Sequence, residues 1–234
     1  MSIPLLQAQK LSKRFGAVEA VTEATFDVRP HAITAFLGEN GAGKTMVLKL
    51  VLGFLSPDSG RFSFATDRVG YVPERPAFFP WLRGDEILLC TTRAFSLSER
   101  EADREVERLC RWMAFDPRLL ARRVGTYSLG NQKKFSYLQS FLVHPDLLII
   151  DEPFSALDPL SIRSVRTLFR ELRAQGKALL LSSHLISELE KVCDEFIIIN
   201  RGRIVAQGTL AGRPDLESLY LFYSGAQDHG RITS

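Results

Sequence analysis

The hydrophobic and polar positions along the chain predict buried strands that alternate with helices. Three short, predominantly apolar runs are typical of strands covered on both faces of a parallel sheet. They occupy residues 33–37, 147–150 and 178–181. After the first run, residues 46–52 favour a helix, while residues 195–199 and 203–206 flank a short turn and predict a hairpin. This order of elements predicts an α/β fold.

The strand pattern lapses between residues 75 and 123, where two helices are predicted at residues 84–95 and 98–113. Ser98 followed by Glu101 is a capping-box pattern, so the second helix is expected to begin there. An apolar stripe along that helix is predicted from Val106, Leu109 and Met113.

The segment from Gly38 to Thr45 reads GENGAGKT and matches the phosphate-loop pattern G-x-x-x-x-G-K-[ST]. Its glycines allow backbone N–H groups to converge on one anion, Lys44 can reach the terminal phosphates of a nucleotide, and the Thr45 hydroxyl can ligate Mg²⁺. A helix beginning at Lys44 would direct its positive end at the phosphates. The alternative is a glycine-rich turn that matches by chance. The predicted nucleotide contacts are Gly38, Glu39, Asn40, Gly41, Ala42, Gly43, Lys44, Thr45 and Met46.

Asp151 and Glu152 directly follow the apolar run at residues 147–150. Two acids at the end of a buried strand are costly unless a cation lies beside them. Asp151 is suited to the Mg²⁺ shell, and Glu152 to orienting or deprotonating an attacking water. The alternative is a solvated acid pair that caps the next helix.

Composition bounds the class of protein. With 234 residues, of which 45% are hydrophobic and 24% charged, the chain can bury a full core as one folding unit. No stretch is long and apolar enough to span a bilayer, and the first ten residues lack a signal peptide's apolar region, so a cytoplasmic location is expected. The net charge of +3 is too mild to argue for nucleic acid. Cys90, Cys110 and Cys193 have no metal or redox spacing and are expected to be buried, reduced thiols.

Five further segments follow one another in an order that resembles the nucleotide-binding subunit of ATP-binding-cassette (ABC) transporters over nearly the whole chain. They are the residues 13–16, 70–74, 127–131, 155–158 and 181–184. The resemblance implies a P-loop NTPase core with an antiparallel β part, forming a single nucleotide-binding domain over residues 1–234. A helical sub-domain is implied at about residues 76–140.

The same resemblance implies roles for single residues. Phe15 would place its ring on adenine, although by position alone it could be a core aromatic. His184 would contact the γ-phosphate and the attacking water, although a strand-end histidine is often only a satisfied polar residue. Lys44, Glu152 and His184 then form the expected catalytic set. Glu74 would join Thr45 and Asp151 near the Mg²⁺ and the ATP.

Two partners are implied by the resemblance. A second ATPase subunit, identical or paired, would face this chain so that Ser128 and Gly130 cover the nucleotide of the partner, with Asp158 on the seam. A membrane permease would dock on the aromatic cluster at residues 78–82, for which the alternative is ordinary core packing. Such a subunit is peripheral on the inner face of the cell membrane.

Three departures from the family pattern stand out. Leu129 replaces the first glycine of the signature, so the backbone there is either ordinary or strained. Asn131 and Lys134 replace a glutamine and an arginine. The second change replaces a planar guanidinium, which can donate two parallel hydrogen bonds, with an ammonium that acts as a point charge. Glu74 replaces a glutamine, which adds an acid near Asp151 and the metal.

The function expected is therefore ATP binding and hydrolysis that powers transport through a separate permease. Export is favoured over import because residues 70–74 precede an aromatic and proline-rich run, as in bacterial ABC-2-type exporters. The alternative is a soluble ABC ATPase acting in DNA repair or on ribosomes, which is opposed by the absence of room for a coiled coil or second cassette. A nucleotide sensor without turnover is opposed by the pair Asp151 and Glu152.

Overall fold

The computed structural model describes residues 3–211 and 215–225. The sequence predicts a polar, frayed end from Gly225 onward, and all of it except Gly225 lies outside the described residues. Nine strands are present in the described part: β1 (Leu6–Phe15), β2 (Val18–Val28), β3 (Ile33–Leu37), β4 (Ser59–Phe64), β5 (Val69–Val72), β6 (Leu147–Asp151), β7 (Ala178–Ser182), β8 (Glu195–Asn200) and β9 (Arg203–Thr209).

Seven α-helices connect or cover these strands within the same described ranges. They are α1 (Lys44–Val51), α2 (Gly84–Ala94), α3 (Glu99–Trp112), α4 (Leu129–Leu142), α5 (Pro159–Ala174), α6 (Ile186–Leu189) and α7 (Leu216–Ser224). Two short 3₁₀ turns, Pro117–Ala121 and Val124–Thr126, lead into α4. None of these helices is long and apolar enough to cross a bilayer, a finding that covers residues 3–211 and 215–225.

The main sheet has six strands in the order β5-β6-β7-β3-β8-β9. The first five are parallel, and β9 pairs antiparallel with β8 as the predicted hairpin. A separate antiparallel sheet has the order β2-β1-β4. The α/β prediction with an antiparallel part is confirmed.

The two faces of the main sheet belong to different cores. Along β6, Leu148 and Ile150 pack in the core shared with α2 to α5, whereas Leu147 and Ile149 face the core that contains α1 and the antiparallel sheet. Both faces are therefore covered, which explains why the predicted strands read as predominantly apolar runs rather than as alternating ones.

Between β5 and β6 the chain is helical, as the lapse in the strand pattern predicts. Ser98 caps α3 and Glu101 reaches back to it, which confirms the capping box. Leu109 and Met113 are fully buried and Val106 is half-buried, so the predicted stripe faces the core. The separate folding of residues 76–140 as a sub-domain stays a prediction. The expectation of three buried thiols is wrong for Cys90, which is exposed because it lies on the outer face of α2.

The parallel strands β3, β6 and β7 all end at one edge of the sheet. The chain continues from these ends into the glycine-rich loop, the acid pair and the segment that contains His184. Ligands of open α/β sheets bind outside the carboxyl ends of the strands, so this edge is where a site is expected.

Candidate functional site

The glycine-rich loop turns the chain from β3 into α1. Gly43 is the N-cap of the helix with φ 107°, and a Cβ there would come within 2.9 Å of the Ala20 carbonyl oxygen. Gly41 also has a positive φ of 84° and faces open space. An L side chain is strained at both positions, so glycine is required for the loop to present its backbone to a ligand. The helix begins at Lys44, as predicted.

Lys44 is buried, and its Nζ donates to the carbonyl oxygens of Gly38 at 2.6 Å and Glu39 at 3.1 Å. Burial lowers the pKa of Lys44, while the carboxylates of Glu152 and Asp151 act in the opposite direction. The Lys44 ammonium now bonds neutral carbonyl oxygens. It would bind a phosphate anion more strongly than these oxygens, because hydrogen bonds between two ions are stronger than those to a neutral acceptor.

Asp151 is buried at the end of β6 and is held by two hydroxyl groups. Its carboxylate accepts hydrogen bonds from Ser182 Oγ and, at 3.3 Å, from Thr45 Oγ1. A hydroxyl and a carboxylate oxygen this close are the hard oxygen donors that Mg²⁺ uses. Within residues 3–211 and 215–225, no group of three or more histidine, cysteine or acidic side chains could cage a metal alone. Thr45 and Asp151 therefore fit a Mg²⁺ that takes its remaining ligands from water and phosphate.

Glu152 follows with a φ of 48°, a left-handed conformation that is strained for a non-glycine residue. Its backbone N–H donates to the Ser182 carbonyl at 2.8 Å. One carboxylate oxygen accepts from Ser183 Oγ at 2.9 Å, and the other lies 2.9 Å from His184 Nδ1. Both oxygens are thus oriented by partners.

The histidine of this pair is accessible. The His184 side chain is 56% exposed, whereas that of Glu152 is only 10% exposed. In the tautomer with the proton on Nδ1, the Nδ1–H group donates a hydrogen bond to Glu152, and Nε2 of the neutral ring is free to accept one. The arrangement can hold a water or hydroxyl group between a fixed carboxylate and an imidazole. Its role at the γ-phosphate stays a prediction.

Lys44, Thr45, Asp151 and Glu152 surround one cleft of about 550 Å³. His184 does not line it and lies instead in a smaller cavity of about 140 Å³, with Gly38, Glu39 and Asn40. The predicted loop residues Glu39, Asn40, Gly41, Gly43, Lys44, Thr45 and Met46 line the larger cleft together with Glu74, Asp151 and Glu152. The structure adds Val18, Glu19, Ala20, Arg201 and Gly202, which sequence reasoning missed. The two remaining predicted loop residues, Gly38 and Ala42, are buried and do not line this cleft.

Phe15 lies at the end of β1, opposite Val18 of the cleft wall. Its ring is 46% exposed, so the alternative of a core aromatic is wrong. Lys13 Nζ lies 5.6 Å from the ring centroid, which is a cation–π distance. Stacking on adenine stays a prediction.

The signature segment lies at the start of α4 and does not line the cleft of Lys44. Ser128 is the N-cap and accepts a hydrogen bond from the Asn131 N–H at 3.3 Å. Leu129 is the first helical residue, with the ordinary backbone of a helix and 71% of its surface exposed. Of the two alternatives for the missing glycine, the structure therefore shows the unstrained one. A Cβ on Gly130 would approach the Ala156 carbonyl oxygen to 3.0 Å.

Asp158 is the N-cap of α5 and accepts from the N–H groups of Leu160 and Ser161, both at 3.0 Å. A hydrogen bond from the Ser161 hydroxyl, with those from the backbone, lowers the pKa of Asp158. Asp158 therefore caps α5, and its position on a dimer seam stays a prediction.

The aromatic cluster divides into two parts. Phe78 packs against Phe135 with ring centroids 5.1 Å apart. Phe79 and Trp81 pack against each other with ring centroids 5.4 Å apart and planes tilted by 38°, and each is 63% exposed. Core packing is correct for Phe78, while Phe79 and Trp81 form an exposed aromatic pair.

Sequence reasoning missed Lys133 on α4. Its Nζ donates to the carbonyl oxygens of Pro73 at 2.9 Å, Asp151 at 2.9 Å and Glu74 at 3.4 Å. The side chain is only 1% exposed, and burial lowers its pKa to about 8 against the attraction of Asp151, Glu152 and Glu74. The available signal was a lysine placed among the buried apolar positions of a helix.

Known proteins resemble this chain at the level of sequence. The sequence profile of the ABC transporter family matches residues 21–155. The uncharacterized ABC transporter ATP-binding protein YxlF of Bacillus subtilis is 34% identical over 212 residues, which are 88% of this chain and 71% of that protein. The Nod factor export ATP-binding protein I of Burkholderia orbicola is 32% identical over 89% of this chain and 72% of its own length.

A solved structure described as the ATP-binding subunit of an ABC transporter superposes with a TM-score of 0.88. It is 32% identical and covers 94% of this chain and 99% of its own. The P-loop NTPase fold is thereby confirmed. With the family profile matching more than half of the sequence, the chain belongs to the ABC transporter family and is an ATP-hydrolysing, ATP-binding subunit of it.

Proposed function

We propose that this subunit powers export through a separate membrane permease and that hydrolysis takes place in the cleft of Lys44. The observation that carries this proposal is the placement of three groups at one sheet edge. They are Lys44, the Thr45–Asp151 pair and the Glu152–His184 pair.

Each group has a distinct task in phosphoryl transfer to water. Lys44 offsets charge on the β- and γ-phosphates of ATP. Glu152, fixed by Ser183 and His184, orients the attacking water and accepts its proton. Thr45 and Asp151 hold Mg²⁺, with Glu74 on the same cleft wall. The metal, when bound, neutralises phosphate charge.

Two subunits assemble face to face in this proposal. Support comes from the position of Ser128 and Gly130 outside the cleft of their own chain, at an exposed helix start. In such a pair they contact the nucleotide of the partner, together with the backbone N–H groups of α4. Asp158, close to that surface at the start of α5, lies on the seam.

Export is supported by the relative named as a Nod factor export ATP-binding protein. The permease contact is assigned to Phe79 and Trp81, because exposed aromatic pairs are typical of interface anchors. The chain then lies on the inner face of the cell membrane, since its ATP is cytoplasmic.

The test is to purify the chain with a multi-span membrane protein encoded beside it and to measure ATP hydrolysis in vesicles. A membrane partner that stimulates hydrolysis by the wild type, and not by Lys44→Ala, supports the proposal. With ATP outside the vesicles, accumulation of the permease substrate inside means export, and its loss from preloaded vesicles means import. Stimulation by DNA or ribosomes, without any membrane partner, would overturn the proposal in favour of a soluble role.

A further inference from the structure

Helix α4 carries a polar stripe that faces the site rather than solvent. The stripe consists of Lys133, Tyr137 and Ser140, which share one face because they recur at i, i+4 and i+7. Tyr137 Oη donates to the Pro153 carbonyl at 2.5 Å, and Ser140 Oγ donates to the Tyr71 carbonyl at 2.9 Å. The helix that begins with the signature is thereby attached to the ends of β5 and β6.

Lys133 is the charged member of this stripe and lies nearest the cleft. Its ammonium has three protons, and its three acceptors are the carbonyl oxygens of Pro73, Glu74 and Asp151. One cation thus joins the Glu74 segment to the strand end that carries Asp151 and Glu152. No salt bridge of Lys133 occurs within residues 3–211 and 215–225, so its charge acts on the nearby carboxylates without direct pairing.

Burying an ammonium costs free energy because the charge loses its hydration. An apolar side chain of similar length would fill the same volume without that cost. The electrostatics of the cleft supply a reason for the buried charge. Five acidic and two basic side chains line the cleft, although its ligand is a polyanion. One of the acids is Glu74, which stands where the family pattern has a neutral glutamine.

We propose that Lys133 is a positioning residue for ATP hydrolysis, which holds the Glu74 segment against the Asp151 strand end and offsets the carboxylate that Glu74 adds to the cleft. The ammonium bonds carbonyl oxygens of both segments and so fixes Glu74 relative to Asp151, the two acids that would hold Mg²⁺. The inference rests on the assignment of hydrolysis to this cleft.

Lys134 provides a matched control on the same helix. It is also a buried lysine, but its Nζ donates to the Ala114 carbonyl at 3.3 Å, at the end of α3 and away from the cleft. Lys133→Gln keeps an N–H donor and removes the charge, while Lys133→Met removes both and retains an unbranched side chain. Glu74→Gln removes the acid that the lysine is proposed to offset.

The experiment measures kcat, KM for ATP and melting temperature for these variants and for Glu74→Gln/Lys133→Gln. Lys133→Gln is expected to lower kcat/KM by about 10-fold or more, and by no more than about 3-fold when Glu74 is already neutral. Lys134→Gln should stay within about 2-fold of the wild type. Lys133→Met should melt below the wild-type temperature, because it leaves three carbonyl oxygens without their donor, and it should hydrolyse at least as slowly as Lys133→Gln.

Three results would overturn the inference. Both Lys133 variants could retain wild-type kcat/KM, or Lys133→Gln could lose the same factor with and without Glu74. Activity could also fall only in step with melting temperature, which would leave Lys133 a purely structural role. Failure of the underlying site assignment is separate, because it would show as normal hydrolysis by Glu152→Gln whatever Lys133 does.

Discussion

The cleft of Lys44 and the signature surface at the start of α4 differ in one respect. The side chains of the cleft have partners within the chain, whereas those of Ser128 and Leu129 at the signature surface are exposed. In the cleft, Lys44, Asp151 and Glu152 are buried and hydrogen-bonded within the chain. At the signature surface, which is formed by residues 128–131, Leu129 is 71% exposed. This surface presents a large apolar side chain to solvent, whereas the groups of the cleft are already preorganised.

The largest effect is expected from removing the lysine of the cleft. Lys44→Ala should abolish ATP hydrolysis and weaken nucleotide binding, because no other lysine lines the cleft within residues 3–211 and 215–225. Nucleotide affinity and hydrolysis should be measured together. Lys49→Ala is the matched control, since Lys49 lies exposed in the last turn of the same helix. Near-normal values for Lys44→Ala would refute the cleft as the working site.

Glu152→Gln should leave ATP binding intact and slow hydrolysis by about 10²–10⁴-fold, because the amide keeps the shape and loses the base. ATP should then remain bound and hold two subunits together, which size-exclusion chromatography with Mg²⁺ and ATP can detect. A monomer under these conditions would mean that the signature surface needs the permease to pair, or that it does not pair at all.

Mixing two inactive variants tests directly whether the cleft and the signature surface meet in trans. Lys44→Ala loses its cleft, and Gly130→Asp places a charged side chain near the Ala156 carbonyl at the signature. Each alone should be inactive. An equal mixture should regain about a quarter of wild-type hydrolysis, since half of the dimers are mixed and each has one complete site. No recovery would contradict composite sites between identical chains.

A smaller effect is expected at the acidic wall of the cleft. Glu74→Gln should keep hydrolysis within a few-fold and raise the Mg²⁺ concentration for half-maximal rate, because a carboxylate binds the metal more strongly than an amide. If Glu74 instead senses the permease, the Mg²⁺ dependence of the isolated subunit will not move and the defect will need the membrane partner. An unchanged titration with and without that partner would exclude both roles.

The smallest effect on the isolated subunit is expected at the exposed aromatic pair. Replacing Phe79 and Trp81 with alanine should change the free energy of unfolding by less than about 1 kcal/mol, because both rings are mostly exposed. Purification with the membrane partner should fail. Phe78→Ala is the control, and it should destabilise the chain by about 2 kcal/mol or more because its ring packs on Phe135. A large loss of stability in the double variant would assign the pair to the core.

The positions of the phosphate loop, the acid pair and His184 could be predicted from the sequence because they follow buried apolar strands. The carboxyl ends of parallel strands share one edge, so chain order alone brings these groups together. The side chains that hydrogen-bond to the acid pair could not be predicted. Ser182 and Ser183 stand beside His184 in the sequence, yet which acid each hydroxyl reaches depends on the register between β6 and β7.

The amino-acid sequence by itself determined the fold class, the glycine loop and the order of the chemical groups, because strand periodicity and glycine spacing are local properties. Only the tertiary structure decided which face of each irregular or helical segment is covered. Phe78 is packed and Phe79 exposed although they are neighbours, and Lys133 is buried at the cleft while Lys134 points to α3. Such choices depend on what packs against the segment, and that partner comes from residues distant in the chain.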